Sequence, residues 1–173
     1  MLIVSFQEVG AVVEIEAGYG GRPGLATLES TDAHLLARLF DRLSAESIYR
    51  RFFSPINRPD MFQASIARTD HFNREAVAAV AEGELVGVAQ YSRRPDRQQA
   101  ELAIVIADDW QRQGIGTRLI AALAERAVAA GIDSFAVDIQ GDNFGALRLF
   151  KRFAPAARMT FSAGVGEGVI PLT

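Results

Sequence analysis

The chain has 173 residues, 49% of them hydrophobic and 23% charged, with a formal net charge of -3. That is enough apolar material for one cored domain, and the weakly acidic balance gives no electrostatic footing for nucleic acid. With no cysteine and only His34 and His71, disulfides, thiolate catalysis and cysteine-metal sites are excluded, and a zinc site has little to build on.

No stretch reaches the length of a membrane span. The apolar start, residues 1–6, lacks the basic flank and long apolar run of a signal peptide, so a soluble, cytoplasmic protein is expected. Residues 1–17 are rich in Val and Ile and read as one or two strands. Residues 18–24, Gly-Tyr-Gly-Gly-Arg-Pro-Gly, read as a turn or linker. The expected organisation is an N-terminal extension over 1–24 and a main domain over 25–173.

A short strand is expected over 25–28. Ser30 or Thr31 then offers a helix N-cap, with Asp32 in the first turn and Leu35, Leu36, Leu39, Phe40 and Leu43 at helical spacing. A second short helix starts near Ser44, where Ser44 and Ser47 can both cap, and carries Ile48, Tyr49, Phe52 and Phe53. Phe52 and Phe53 are expected in the core. Pro55 and Pro59 break the pattern before a third short helix over 61–67. His71 falls in a polar stretch read as surface loop.

The middle of the chain changes character. Residues 76–81, 85–91 and 100–106 read as three strands, joined by the turn Glu82-Gly83-Glu84 and a polar loop over 93–98, which makes an antiparallel meander. Ile115, Leu119, Ile120, Leu123, Ala127 and Val128 then mark one face of a helix, closed by Gly131. A strand over 135–139, a helix over 143–153 and a hairpin of 159–163 with 168–172 around Gly164 to Glu167 complete the order. The class is mixed α/β without regular βαβ alternation.

The junction between the third meander strand and the long helix carries the chemistry. It reads Asp108-Asp109-Trp110-Gln111-Arg112-Gln113-Gly114-Ile115-Gly116-Thr117. Two glycines at a loop-to-helix junction allow positive φ and close approach to a ligand. The free N–H groups of the first helical turn, with the helix dipole, favour an anion such as a pyrophosphate. Arg112 and Arg118 are expected to add charge. Asp108 and Asp109 read as solvated loop carboxylates, and Trp110 as a packing anchor beside the loop or a residue that lines the ligand groove. A dinucleotide fingerprint is disfavoured, because Leu119 stands where its third glycine belongs and a loop separates strand from glycines.

Gln111-x-x-Gly114-x-Gly116 resembles the signature of the GCN5-related N-acetyltransferase (GNAT) superfamily. Residues 100–106, Ala-Glu-Leu-Ala-Ile-Val-Ile, are similar to its fourth strand. Asn143-x-x-Ala146-x-x-Leu149-Phe150 is similar to its last motif, and residues 42–53 resemble the start of bacterial protein-lysine acetyltransferase domains. The resemblance covers about residues 25–153. It implies an acyl-CoA N-acyltransferase fold, with a mostly antiparallel mixed sheet flanked by helices and with the fourth and fifth strands splayed around the coenzyme arm.

The resemblance also implies acetyl-CoA as co-substrate, with no metal. The arm would bond to backbone around Ile104, Val105 and Ile106, and the pyrophosphate to N–H groups of Gln111, Arg112, Gln113, Gly114, Ile115, Gly116 and Thr117. Asn143 would contact the arm, cap its helix, or do both. Glu101 would be the general base, its pKa raised by partial burial, or else an edge charge in a salt bridge. Phe150 stands where the family often has a tyrosine that protonates the leaving thiolate, and it has no proton to give. The implied reaction is acetyl transfer to a primary amine, a protein lysine or a small molecule, with Tyr49 near the acceptor. A non-catalytic acyl-CoA sensor is the alternative that Phe150 motivates. Dimers are frequent in the family.

Overall fold

The computed structural model describes residues 22–95 and 97–172. The strands expected within 1–17, and most of the linker that follows, lie outside the described residues. The elements are β1 (Gly24–Thr27), α1 (Leu36–Asp41), α2 (Ala45–Phe52), α3 (Asp60–Ile66), β2 (Arg74–Ala81), β3 (Glu84–Arg93), β4 (Gln99–Ile106), α4 (Ile115–Ala129), β5 (Ser134–Gln140), α5 (Phe144–Phe153), β6 (Thr160–Ser162) and β7 (Val165–Pro171). They form a seven-stranded sheet in the order β1-β2-β3-β4-β5-β7-β6, in which only β4 and β5 run parallel. This is the mixed, mostly antiparallel sheet that the resemblance implies.

Small and β-branched residues let β2 and β3 sit in the middle of the sheet with helices on both faces. Val77 and Ala79 turn to one side and Ala76 and Ala78 to the other, all of them buried. The first face is covered by α4, which buries Ile115, Leu119, Leu123 and Ala127 against β2 and β3. Each such leucine contributes about 1.5–3 kcal/mol by leaving water. The second face is covered by α1 and α3 through Leu36, Leu39, Phe62 and Ile66.

Two local expectations need correction. The segment after β1 starts as a 3-10 turn over Ser30–Leu35, and its N-cap is Glu29, whose N–H donates to Asp32 Oδ2 at 2.9 Å. Asp32 is thus the capping carboxylate, buried with its partner in place. The closing hairpin turns on Ala163 and Gly164, with φ of 48° and 81°. A two-residue turn of that sign matches the strand twist, so β7 starts at Val165, earlier than the glycine-rich sequence suggests.

The β4–β5 pair positions the site. The two strands pair only at Gln99↔Ser134, Ala100↔Phe135 and Glu101↔Ala136, and both continue without pairing to each other. On its far side β4 stays bonded to β3 as far as Ile106. The sheet therefore opens into a cleft at the C-terminal ends of β4 and β5, with α2, α4 and α5 around it.

Candidate active site

Ladder alternation decides which peptide groups face the cleft. Ala107 N–H donates to Val86 O at 2.9 Å, so the N–H and C=O groups of Val105 and Ala103 also turn to β3. Those of Leu102, Ile104 and Ile106 turn to the open side. Ile104 thus leaves a donor and an acceptor on the open side, and Ile106 leaves its N–H there, its C=O accepting from Gln111 Nε2. Val105 lines the cleft, but its peptide groups are committed to β3.

A 3-10 turn over Asp108–Trp110 leads into the loop. Trp110 is half-buried and packs against both core clusters, which fixes the loop on the sheet. Gln111 Nε2 donates to Ile106 O at 3.1 Å, and Gln113 Nε2 to Asp109 O at 3.1 Å. These two side chains shape the loop from within. Arg112 (φ 60°) and Gly114 (φ 81°) both lie in the left-handed region, a cost that only glycine avoids. Gly114 is the N-cap of α4, and no side chain caps the helix. The N–H groups of Ile115, Gly116 and Thr117 are therefore left for solvent or an anion.

Gly116 serves a different end. A Cβ there would lie 3.1 Å from Leu149 Cδ2 and 3.3 Å from Ile106 Cδ1. Its missing side chain keeps the cleft open where α4, α5 and β4 converge. Arg118, expected to add charge to the loop, instead donates to Pro23 O at 2.6 Å.

The cleft has two continuous parts. The larger, about 760 Å³, is bordered by the 111–117 loop, the end of β4 and the basic side of α5, including Arg148 and Arg152. The smaller, about 270 Å³, is bordered by Glu101, Arg94, Phe53, Asp138 and Phe150. Arg50, Arg51, Ile104, Asn143, Ala146 and Leu149 border both and form the neck between them.

Asn143 Oδ1 accepts from Ala146 N–H at 3.1 Å, so the cap is real and the residue also lines the neck. Glu101 borders the small part, but it is not buried. Its side chain is 64% exposed and accepts from Arg94 Nε at 3.2 Å. The expected partial burial is absent because Glu101 lies where the last β4–β5 pair gives way to the cleft. Phe150 is only 2% exposed and presents a ring without a proton. Tyr49, 48% exposed, borders neither part of the cleft. Phe53, itself the left-handed residue that ends α2 (φ 54°), is 39% exposed and borders the small part rather than lying in the core.

Asp108 is more than a solvated carboxylate. It accepts from Ser47 Oγ at 2.6 Å, Ser44 N–H at 3.3 Å and Gln111 Nε2 at 3.3 Å. Burial alone would push its pKa up; the hydrogen bonds from Ser44 and Ser47 outweigh that and hold it below the usual carboxylate value. It ties the capped start of α2, where Ser44 Oγ accepts from Ser47 N–H, to the loop.

Arg50 and Arg51 are the site residues that motif reading passed over. Arg50 is paired with Glu46 one turn back. Arg51 stacks on Phe52, 4.7 Å from the ring centroid, and has neither a hydrogen bond nor a carboxylate partner among the described residues. Burial lowers its pKa to about 10, so it stays cationic at neutral pH. Among the described residues no cluster could hold a metal, and no helix is long and apolar enough to cross a membrane.

Comparison with known proteins agrees with this geometry. Residues 42–154 match the acetyltransferase (GNAT) family. The chain is 31% identical over 119 residues to Acetyltransferase Pat of Mycolicibacterium smegmatis, covering 63% of this chain and 34% of that protein. It is 35% identical over 80 residues to the L-methionine sulfoximine/L-methionine sulfone acetyltransferase of Pseudomonas aeruginosa, 44% of this chain and 46% of that one. The chain thus spans between a third and a half of the length of these curated relatives. Among solved structures, the GNAT domain of S. lividans PAT superposes with a TM-score of 0.77 at 25% identity, over 88% of this chain and 92% of that one. A phosphinothricin acetyltransferase from Sinorhizobium meliloti in complex with AcCoA shares the fold, with a TM-score of 0.65 at 18% identity over 85% and 86% of the two chains.

Proposed function

Since this chain belongs to the GNAT acetyltransferase family, we propose that it transfers an acetyl group from acetyl-CoA to a primary amine by direct attack on the thioester. The observation that carries this reading is the splay of β4 from β5. It leaves the peptide groups of Ile104 and Ile106 facing a cleft that ends at an uncapped helix N-terminus. An extended amide-bearing arm fits the first feature and a pyrophosphate the second.

Each residue then has a role. The N–H groups of Ile115, Gly116 and Thr117 hold the pyrophosphate, and Arg112 adds charge at the rim. Ile106 N–H and Asn143 hold the arm. The Ile104 N–H, which faces the open side at the neck between the two parts, is the donor toward the carbonyl oxygen as it gains charge. Glu101, directly or through a water, takes the proton that the amine loses as the C–N bond forms. When the C–S bond breaks, Phe150 cannot protonate the sulfur. The thiolate leaves as an anion and collects its proton from solvent, which its acidity allows. A lysine side chain and a small amine both fit this scheme as acceptor.

A second reading rests on Phe150: the chain binds acyl-CoA without turning it over. Acceptor-dependent thiol release separates the two. The enzyme reading expects release with at least one amine, and a kcat about 10²–10⁴-fold lower in Glu101→Gln with acetyl-CoA affinity kept. Tight acetyl-CoA binding without release from any amine favours the sensor.

A further inference from the structure

The small part of the cleft is lined by three arginines, and the partners of their guanidinium groups differ. Arg50 is neutralised by Glu46 and Arg94 by Glu101. Arg51 has no anion and no hydrogen-bond acceptor among the described residues, although it is half-buried against the rings of Phe52 and Phe62. Taking a cation partly out of water without a partner costs free energy, and an anion brought to it recovers that cost.

The course of α2 places this group along the cleft. Ser47 touches Asp108 and Gln111 at the loop end and borders only the large part. Phe53, at the other end, borders only the small part. Arg51 lies one helical turn past Ser47, about 6 Å further from the loop, at the neck. A pyrophosphate on the 114–117 amides lies behind it, and the amine must enter in front of it. The same small part carries carboxylates on its opposite wall, Glu101 and Asp138. Its volume of about 270 Å³ corresponds to roughly nine water volumes, the scale of a small molecule.

We propose that Arg51 binds a carboxylate of the acceptor, so that the chain acetylates small amines that carry a carboxylate, of the amino-acid type, in preference to lysine side chains of proteins. The proposal rests on the acetyltransferase reading above. The guanidinium holds the carboxylate end, and Glu101 and Asp138 face the ammonium end. Arg51 is a positioning residue for the acceptor, and its planar fork suits two carboxylate oxygens where a lysine offers a single point charge.

The test measures thiol release at fixed acetyl-CoA with a set of L-α-amino acids, their carboxamides and a lysine peptide blocked at both ends. It is run on the unaltered chain, Arg51→Gln and Arg51→Lys, with acetyl-CoA affinity by calorimetry and melting temperature recorded for each. A carboxamide's amine is the less basic, so more of it is neutral near pH 7.5, and intrinsic chemistry favours the amide. The expected result is the reverse: at least tenfold higher kcat/KM for the best acid than for its amide. Arg51→Gln loses that preference, Arg51→Lys keeps part of it, and both bind acetyl-CoA within threefold of the unaltered chain. Equal use of acid and amide overturns the proposal, as does preference for the blocked lysine peptide. It also falls if Arg51→Gln weakens acetyl-CoA binding as much as acid use, since the guanidinium then serves the coenzyme's phosphates. Should Arg51→Gln fail to fold, Arg51→Lys decides: an unchanged acid-to-amide ratio there overturns it. Failure to release thiol with any amine while acetyl-CoA binds overturns it too. Failure to bind acetyl-CoA removes the acetyltransferase reading beneath it.

Discussion

His71 shows what a single surface residue contributes. Its Nε2 lies 2.9 Å from Glu29 Oε2 and its Nδ1 3.0 Å from Glu75 Oε1, so both ring nitrogens face carboxylates. The hydrogen bond to Glu29 raises the imidazole's pKa most; burial opposes, and Glu75 raises it further. A folded value above the unfolded 6.5 means that the stabilisation is fully present below that value and is lost as pH rises through the folded value. The melting temperature is therefore expected to fall as pH is raised across that window, and His71→Gln to flatten the curve. With the ring 38% exposed the effect is screened and small. Equal slopes for the two proteins would remove this network from the account. At this scale the sequence disclosed little: His71 read only as a loop residue, because its partner Glu29 is 42 positions away.

At the scale of elements, α2 and α5 are read from local spacing, but contacts between distant residues fix their place beside the cleft. Asp108 joins the first turn of α2 to the loop across more than sixty residues. Asp108→Ala is expected to lower stability by about 1 kcal/mol, a modest value for exposed hydrogen bonds, and to weaken acetyl-CoA binding because the loop loses a brace. Chemical denaturation and a coenzyme titration on the same variant check both. At the other end, β7 passes Phe150 so closely that a Cβ at Gly168 would lie 2.8 Å from ring carbons Cε2 and Cζ. Gly168→Ala is expected to cost about 1–3 kcal/mol and to lower kcat/KM by pushing the ring into the small part of the cleft. An alanine variant with full stability and rate would show that the ring has room to spare. The meander, α4 and the Asn143 cap were legible because each rests on local spacing. The 3-10 start before α1 and the early start of β7 were not, since a buried capping aspartate and a two-residue turn decided them.

At the scale of the whole molecule, the described sheet opens into the cleft between β4 and β5. The loop with Gly114 and Gly116 reads as a candidate anion site from its glycines and its place before a helix, and the family motifs point to Ile104, Ile106, Asn143 and Glu101 as further candidates. Three matters were hidden. The exposure of Glu101 depends on where β4 and β5 part. The diversion of Arg118 depends on Pro23, 95 positions away. That Arg51 has no acid partner among the described residues depends on which acids other elements bring to the cleft. None of these is a property of a segment; each appears only when distant strands and helices are assembled.

The most direct measurement is calorimetric titration of the chain and of Gly116→Glu with acetyl-CoA, with NADP as the control ligand. A side chain at 116 starts inside the cleft against Leu149 and Ile106, and a glutamate there adds bulk and negative charge where the coenzyme is expected. Binding of acetyl-CoA but not NADP, at micromolar affinity and lost in a variant that still melts cooperatively, is the predicted result. No binding at millimolar acetyl-CoA, or binding unchanged in Gly116→Glu, would contradict the assignment of the cleft.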